Sequence, residues 1–370
     1  MAVEERGTKA RLSFSRDEIR RLSGFYGVIV ALHVAGWGLF LYYGGRAGAV
    51  YAGAGALAYS FGLRHAFDAD HISAVDDSTR FLMQRGKDPL GVGFFFALGH
   101  STVVIALAVA LATAAESVQR HIPTLQKIGG TVGATVSGTF LMVIAVLDFL
   151  ILLSVIEVWK KAKSGEYEPE HLDELMMQRG YMNRILGTRW RRFLGESWQM
   201  YPIGLLFGLG FDTASEVGLL ALTAAAATGP NHSHAHLPVG GILALPLLFT
   251  AGMTLMDTTD GVFMAKAYGW AFSNPIRKVY YNLSTVALGV FVAGGIGSVE
   301  YLQVLSSHTH FHGAFWDFLN GLNFELLGYL IVGAFIVFWI ASVLWYKLRR
   351  IDERYAVRLA TPSLDREDGP

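Results

Sequence analysis

The chain has 370 residues, of which 52% are hydrophobic and only 16% are charged, and its net charge is zero. A soluble globular chain averages about 25% charged residues, so these proportions and several nearly uncharged runs of about 20 residues predict an all-α polytopic membrane protein surrounded by lipid. The absence of cysteine excludes disulfides and thiolate metal sites. No G-x4-G-K-[ST] motif is present, so no nucleotide is expected, and nothing in the charge balance points to a nucleic acid.

The apolar runs predict about eight membrane spans. They are Gly24–Tyr43, Val50–Ile72, Gly91–Ala114, Gly130–Val158, Met200–Ala227, Val239–Ala265, Val279–Tyr301 and Asn323–Tyr346. With these spans, 26 of the 30 Lys and Arg residues fall on one side of the membrane. Cytosolic loops carry the excess of basic residues, so both termini are predicted to lie in the cytosol.

The same spans divide the chain into five parts. Residues 1–23 form an N-terminal cytosolic tail, 24–158 contain helices one to four, 159–199 form a cytosolic linker, 200–346 contain helices five to eight, and 347–370 form a C-terminal cytosolic tail. No removable signal peptide is predicted, because the basic N-terminus lacks an A-x-A cleavage site before a mature domain.

The second span ends in a strongly ionisable stretch, residues 64–77, which reads R-H-A-F-D-A-D-H-I-S-A-V-D-D. It follows the apolar run without a loop signal, which predicts one helix that carries charges into the membrane. Charges at that depth are costly and are rarely kept without a function. Imidazoles and carboxylates are also ligands of divalent metals, so His65, Asp70 and His71 are candidate ligands. Asp76, Asp77 and Arg80 are expected at the solvated cytosolic end of this helix.

Helix geometry leaves two arrangements open for these ligands. At about 100° per residue, His65, Asp68 and His71 share one face of a straight helix, whereas Asp70 points well away from it. Either Asp68 is the ligand and Asp70 lies behind it, or the helix is broken here. Broken helices are common at the ion sites of transporters.

Polar residues also interrupt the third span. His100 lies within an apolar run and is followed by Ser101 and Thr102. A histidine in such a helix either packs as a satisfied polar residue or faces the pore. Because the second span already offers candidate ligands, His100 is a further candidate ligand for the same metal.

Paired carboxylates occur in the fifth and sixth spans. Asp212 and Glu216 are four residues apart on one helix face, and the fifth span has no Lys or Arg to pair with them. A bound cation or a shared proton is therefore predicted there. Asp257 and Asp260 share a face of the sixth span, either along the transport path or as solvated carboxylates near the cytosol. Asp148, in the fourth span, is a single buried acid that either serves the path or caps a neighbouring helix.

Six of the twelve histidines fall in two short loops on the side that is poor in basic residues. They are His232, His234 and His236 in one loop and His308, His310 and His312 in the other. Alternating histidines bind transition metals weakly. We expect these loops to capture metal outside the membrane.

A short echo relates the two halves of the chain. The triplet F-G-L precedes F-D-A in the second span and F-D-T in the fifth, with spacings that differ by two residues. Because these spans run in opposite directions in the predicted topology, the echo is consistent with an inverted repeat.

Four stretches together resemble the nickel/cobalt transporter family, the NiCoT permeases. His65, Asp70 and His71 match its H-x4-D-H signature, and Leu98–Val103 match L-G-H-S-[TS]-V. Leu209–Glu216 match L-G-F-D-T-A-[TS]-E, and Gly252–Gly261 match G-M-x-L-x-D-T-x-D-G. The chain departs from the expected pattern at Asp77, where the family favours Asn.

The resemblance implies high-affinity uptake of Ni²⁺ or Co²⁺ across the cytoplasmic membrane by a secondary permease, with ligands in helices two, three, five and six and no other cofactor. An exporter is one alternative, although its histidines would be expected in a long internal loop. An intramembrane metalloenzyme is another, but no H-E-x-x-H motif is present. A cation channel would need carboxylate rings, which usually require oligomeric symmetry.

Overall fold

The computed structural model describes residues 14–47, 49–113, 115–164, 194–209, 239–271, 275–309 and 311–348. These residues form helices joined by short turns, with no strand among them, so the all-α prediction is confirmed for this part of the chain. The helices are α1 (Arg16–Ala47), α2 (Ala49–His65), α3 (Ala69–Gln84), α4 (Val92–Thr113), α5 (Ala115–Ser164), α6 (Met200–Phe207), α7 (Val239–Ala271), α8 (Pro275–Thr309), α9 (Ala314–Asn320) and α10 (Phe324–Leu348). A short 3₁₀ turn, Ser197–Gln199, leads into α6.

Five of the described helices are long and apolar enough to cross a membrane, which makes the chain a multi-pass membrane protein. They are α1, α4, α5, α7 and α8. α10 contains a shorter apolar segment, Leu326–Ser342. The predicted fifth span lies outside the described residues after Leu209. The count of eight spans, the inverted repeat and the cytosolic termini stay predictions.

The single helix expected over the second span is wrong, and the broken arrangement is the one that the structure contains. α2 ends at His65, and α3 begins at Ala69. Between them the backbone tightens, with the amides of Phe67 and Asp68 bonded to the carbonyls of Arg64 and His65. Asp68 then adopts an extended conformation, with φ −63° and ψ 144°, and α3 starts after it.

Two hydrophobic cores meet around α4. One core, here called the α5-side core, joins α3, α4, α5, α6 and α8 and includes Phe96, Phe140 and Phe207. The other, here called the α7-side core, joins α1, α2, α4 and α7 and includes Phe40 and Phe249. Because α4 contributes to both cores, the polar residues on it lie where they meet.

Glycines allow α4 to approach its neighbours closely. A Cβ on Gly93 would lie 1.8 Å from the carbonyl oxygen of Asp257 in α7, which no side chain could tolerate. A Cβ on Gly204 in α6 would lie 1.9 Å from the carbonyl oxygen of Phe96. Small residues permit such backbone contacts between membrane helices. They fix the positions of α6 and α7 on either side of α4.

The far end of α3 is buried, and the expectation that it is solvated is wrong. Asp76 and Asp77 are each 1% exposed and Arg80 is fully buried. Arg80 forms ion pairs with Asp77 and with Asp148 of α5, the second at 2.5 Å. The hydroxyl of Tyr268 in α7 donates to both carboxylate oxygens of Asp76, at 2.8 and 3.0 Å. Asp148 and Tyr268 come from other helices, and they take the place of the water that was expected around this end of α3.

Candidate metal centre

Three buried histidines from three helices converge where the two cores meet. His65 ends α2, His71 lies in the first turns of α3 and His100 lies in α4. They are 3%, 2% and 1% exposed, and each can offer a ring nitrogen such that all three nitrogens lie within 4.8 Å of one another. Among the described residues, these three histidines are the group of potential ligands that lie close enough together to hold a metal ion.

The spacing of two of these nitrogens suits a shared ligand. His65 Nε2 lies 3.2 Å from His100 Nε2. Two nitrogens that each lie about 2.1 Å from one ion are about 3.0 to 3.4 Å apart at octahedral or tetrahedral angles. The same separation allows a hydrogen bond between the rings when one Nε2 carries a proton. The pair is therefore satisfied with or without an ion.

Carboxylates lie near the Nδ1 atoms of two of the rings. His65 Nδ1 lies 2.9 Å from Asp68 Oδ2, and His71 Nδ1 lies 3.6 Å from Asp257 Oδ2. Metal-binding histidines commonly donate their second ring N–H to a carboxylate, which fixes the tautomer and leaves the remaining nitrogen for the metal. Asp68 occupies the N-cap position of α3 but makes no side-chain cap bond, because its carboxylate is directed to His65.

Asp70 and Asp260 take other positions. Asp70 Oδ1 accepts a hydrogen bond from the backbone N–H of His71 at 3.0 Å, which satisfies a free amide in the first turn of α3. The structure does not bring Asp70 into the histidine group. Asp260 is partly buried and interacts electrostatically with Asp257 and Asp76. It follows Asp257 by three residues on α7.

Aromatic rings enclose the histidines. Phe96 lies edge-on to His71 with ring centroids 4.9 Å apart, and Phe207 lies 6.5 Å from the same ring. Phe249 lies 5.5 Å from the ring of His65. These side chains exclude water from the rings, so that electrostatic attraction between an ion and the nearby carboxylates is weakly screened.

Comparison with known proteins identifies the family of this chain. The family model described as high-affinity nickel-transport protein matches residues 51–345, which contain all three histidines and Asp257. The chain belongs to the high-affinity nickel-transport family. No solved structure matches it significantly.

Relatives within the family cover nearly the whole chain. The nickel transporter NixA of Staphylococcus aureus is 45% identical, with 90% of this chain and 96% of the relative aligned. The nickel transporter NicT of Mycobacterium tuberculosis is 43% identical over 98% of this chain and 96% of its own length. The cobalt transport protein NhlF of Rhodococcus rhodochrous is 43% identical over 91% and 95%. The predicted NiCoT resemblance is therefore confirmed.

The remaining predicted site residues lie apart from the histidine group or outside the described residues. Ser101 is buried next to His100, whereas exposed Thr102 bonds to the carbonyl of Leu98 and to the hydroxyl of Tyr201, at 2.8 and 2.9 Å. His308 was predicted to lie in a loop, which is wrong, because α8 continues to Thr309 and has His308 in its last turn. Both His308 and His312 are exposed. The residues outside the described part of the chain are Asp212, Glu216, His232, His234, His236 and His310.

Sequence reasoning did not predict the pairing of His71 with Asp257 or the ion cluster around Arg80. The first joins two helices that are distant in sequence, and periodicity within one helix gives no sign of it. For the second, a signal was available: Asp148 is an acid in an apolar helix. Such an acid requires a partner, and Arg80 supplies it at 2.5 Å.

Proposed function

We propose that this family member takes up Ni²⁺ or Co²⁺ across the cytoplasmic membrane, and that His65, His71 and His100 bind the ion on its way to the cytosol. The observation that carries the proposal is the convergence of these three buried rings on one point. The relatives described above are nickel transporters and a cobalt transport protein, which supports the choice of substrate.

The imidazole ligands favour a divalent ion of intermediate hardness. Imidazole suits Ni²⁺, Co²⁺ and Zn²⁺, whereas Mg²⁺ and Ca²⁺ prefer a shell of oxygen ligands. Asp68 orients His65, and Asp257 orients His71 while reducing the positive charge of the bound ion. Asp260 binds the ion transiently after Asp257 during release. Asp212 and Glu216 supply a further cation or proton site on the fifth span.

The membrane potential is sufficient to drive this transport without a nucleotide. An inside-negative potential of 100 mV favours inward movement of a divalent ion by about 4.6 kcal/mol. Every 1.4 kcal/mol is a factor of ten, so accumulation of roughly a thousandfold needs no other energy source. We therefore propose a secondary permease that acts as a uniporter or with coupled protons.

The proposal is tested by uptake of radioactive Ni²⁺ and Co²⁺ at nanomolar metal in cells that express equal amounts of wild type, His71→Ala or His100→Ala. A control variant, His171→Ala, removes a histidine from the polar linker. We expect accumulation in the wild type and the control and its loss in the other two variants. Equal uptake by His71→Ala and wild type would place the ion elsewhere.

The same experiment separates import from export. Accumulation below that of cells without the transporter would mean that the protein moves metal outward, which would contradict the proposed direction. A valinomycin-imposed potential in proteoliposomes then tests the driving force. Uptake that does not respond to the potential or to a proton gradient would contradict a secondary mechanism.

A further inference from the structure

The buried ion cluster of Asp77, Arg80 and Asp148 lies outside the proposed metal centre, and the proposed function does not use it. Arg80 is fully buried and its Nη2 atom contacts both Asp77 Oδ1 and Asp148 Oδ2. Asp76 also interacts with Arg80 electrostatically while its carboxylate accepts from Tyr268. Four ionisable side chains, three acids and one base, are thus buried together.

This cluster connects three helices. Arg80 and Asp77 belong to α3, Asp148 belongs to α5, and Gly289 of α8 lies directly against the guanidinium. α5 and α8 themselves pack closely, since a Cβ on Gly297 of α8 would lie 3.1 Å from the carbonyl oxygen of Gly138 in α5. α5 and α8 therefore pack as a closely spaced pair, and the side chain of Arg80 joins α3 to this pair.

The position of α3 must be fixed by contacts of this kind. Its backbone does not continue from α2, because the helix is broken between His65 and Ala69. Much of its buried surface is polar, including Ser73, Ser78 and Thr79. Apolar packing is non-directional and would leave the rotation of such a helix poorly defined, whereas directed ion pairs fix it.

Small rotations of α3 would disturb the histidine centre. His71 and Arg80 are nine positions apart, which corresponds to about 13.5 Å along the axis of the same helix. A side-chain tip about 6 Å from that axis moves by about 1 Å for a rotation of 10°. Metal–ligand distances are defined to about 0.2 Å, so this movement is enough to remove a ligand.

We propose that Asp77, Arg80 and Asp148 are positioning residues that set the rotation and depth of α3 against the α5–α8 pair, and so hold His71 at the metal. This inference rests on the proposed metal centre. It assigns the affinity of that centre in part to charged residues that do not contact the ion.

Gly289 offers a way to move the guanidinium without changing any charged or ligand residue. A Cβ at this position would lie 2.0 Å from Arg80 Nη2 and 2.6 Å from Asp77 Oδ1. The atoms that must move are the ends of two side chains and not backbone, so Gly289→Ala is expected to fold. Gly295→Ala is the matched control on the same helix, because a Cβ there has nothing within 4 Å.

The test compares full-length protein, purified in detergent, in wild type and four variants: Gly289→Ala, Gly295→Ala, Asp148→Asn and Arg80→Lys. Co²⁺ is titrated into each monodisperse sample, and the dissociation constant and the ligand-field spectrum of bound Co²⁺ are measured. Gly289→Ala and Asp148→Asn should raise the dissociation constant at least about 10-fold, as changes behind a metal ligand do, and alter the spectrum. Gly295→Ala should match wild type, and Arg80→Lys should retain much of the wild-type affinity because it keeps the positive charge.

The outcomes separate this inference from the proposed function. If wild type binds no Co²⁺, the proposed metal centre fails. If wild type binds Co²⁺, and Gly289→Ala and Asp148→Asn bind it with the same constant and spectrum, the positioning role is overturned, even if their thermal stability falls. Should Gly289→Ala not yield monodisperse protein, the near-isosteric Asp148→Asn decides the matter by the same two measurements.

Discussion

His65 and His100 face each other through their Nε2 atoms at 3.2 Å, although 35 positions separate them in the chain. The contact joins the end of α2 to the middle of α4, at the place where the two hydrophobic cores meet. His71 completes the group from α3, with its ring centroid 4.6 Å from that of His65. Three helices must therefore be placed correctly before the centre exists.

Asp68→Asn tests whether the carboxylate beside His65 orients that ring. The amide keeps the size of the side chain but loses the charge that attracts the Nδ1–H, so we expect the affinity for Ni²⁺ to fall about 10- to 100-fold. Isothermal titration of the purified protein measures this change. Asp317→Asn, at an exposed position of α9, is the control and should bind as wild type does. Unchanged affinity in Asp68→Asn would remove the carboxylate from the centre.

Gly93→Ala tests the close approach of α4 and α7. The added Cβ would lie 1.8 Å from the carbonyl oxygen of Asp257, so the two helices must separate and move Asp257 away from His71. We expect a loss of stability of about 1–3 kcal/mol or more, together with loss of metal uptake. Gly38→Ala, where a Cβ has nothing within 4 Å, should leave both unchanged. Wild-type uptake by Gly93→Ala would contradict the packing described.

Tyr268→Phe tests the hydrogen bonds to Asp76. It removes the hydroxyl that donates hydrogen bonds to both oxygens of this buried carboxylate but keeps the ring, so the carboxylate of Asp76 loses these hydrogen bonds. We expect a loss of about 1–3 kcal/mol in the free energy of unfolding, seen as a lower melting temperature in detergent. Tyr301→Phe removes an exposed hydroxyl that bonds to Thr139 and should change stability much less. Equal melting temperatures for the two variants would contradict this account.

Replacement of the six histidines that were predicted to lie in loops by alanine tests the proposed capture of metal outside the membrane. His308 and His312 are exposed, and the other four lie outside the described residues. We expect the metal concentration for half-maximal uptake to rise while the maximal rate stays the same, because the loops would change only the local supply of metal. Uptake over a range of nickel concentrations measures both. An unchanged half-maximal concentration would leave the loops without this role.

Features that depend on residues close together in the chain could be predicted from the sequence. Composition and apolar run length identified a helical membrane protein, and the density of ionisable residues pointed to His65 and His71. Helix geometry could limit the arrangement of Asp68 and Asp70 to two alternatives but could not choose between them. The choice depends on the extended backbone at Asp68 and on its contact with His65, 2.9 Å away.

Longer-range contacts account for what was predicted incorrectly. Arg80 was expected in water because charged residues at the end of an apolar helix usually are solvated. Its partner Asp148 lies 68 positions away. The guanidinium of Arg80 fits against α8 only because Gly289 has no side chain. Pairings between helices are fixed by packing in three dimensions, which the pattern of any one helix does not contain.

The break at residues 66–68 gives the centre two separate supports for its ligands. His65 is carried by one helix and His71 by another, and the continuous ladder of helical hydrogen bonds does not run through the segment between them. Under the proposed function, the two imidazoles therefore need not leave the ion in one step, because each is carried by a helix of its own.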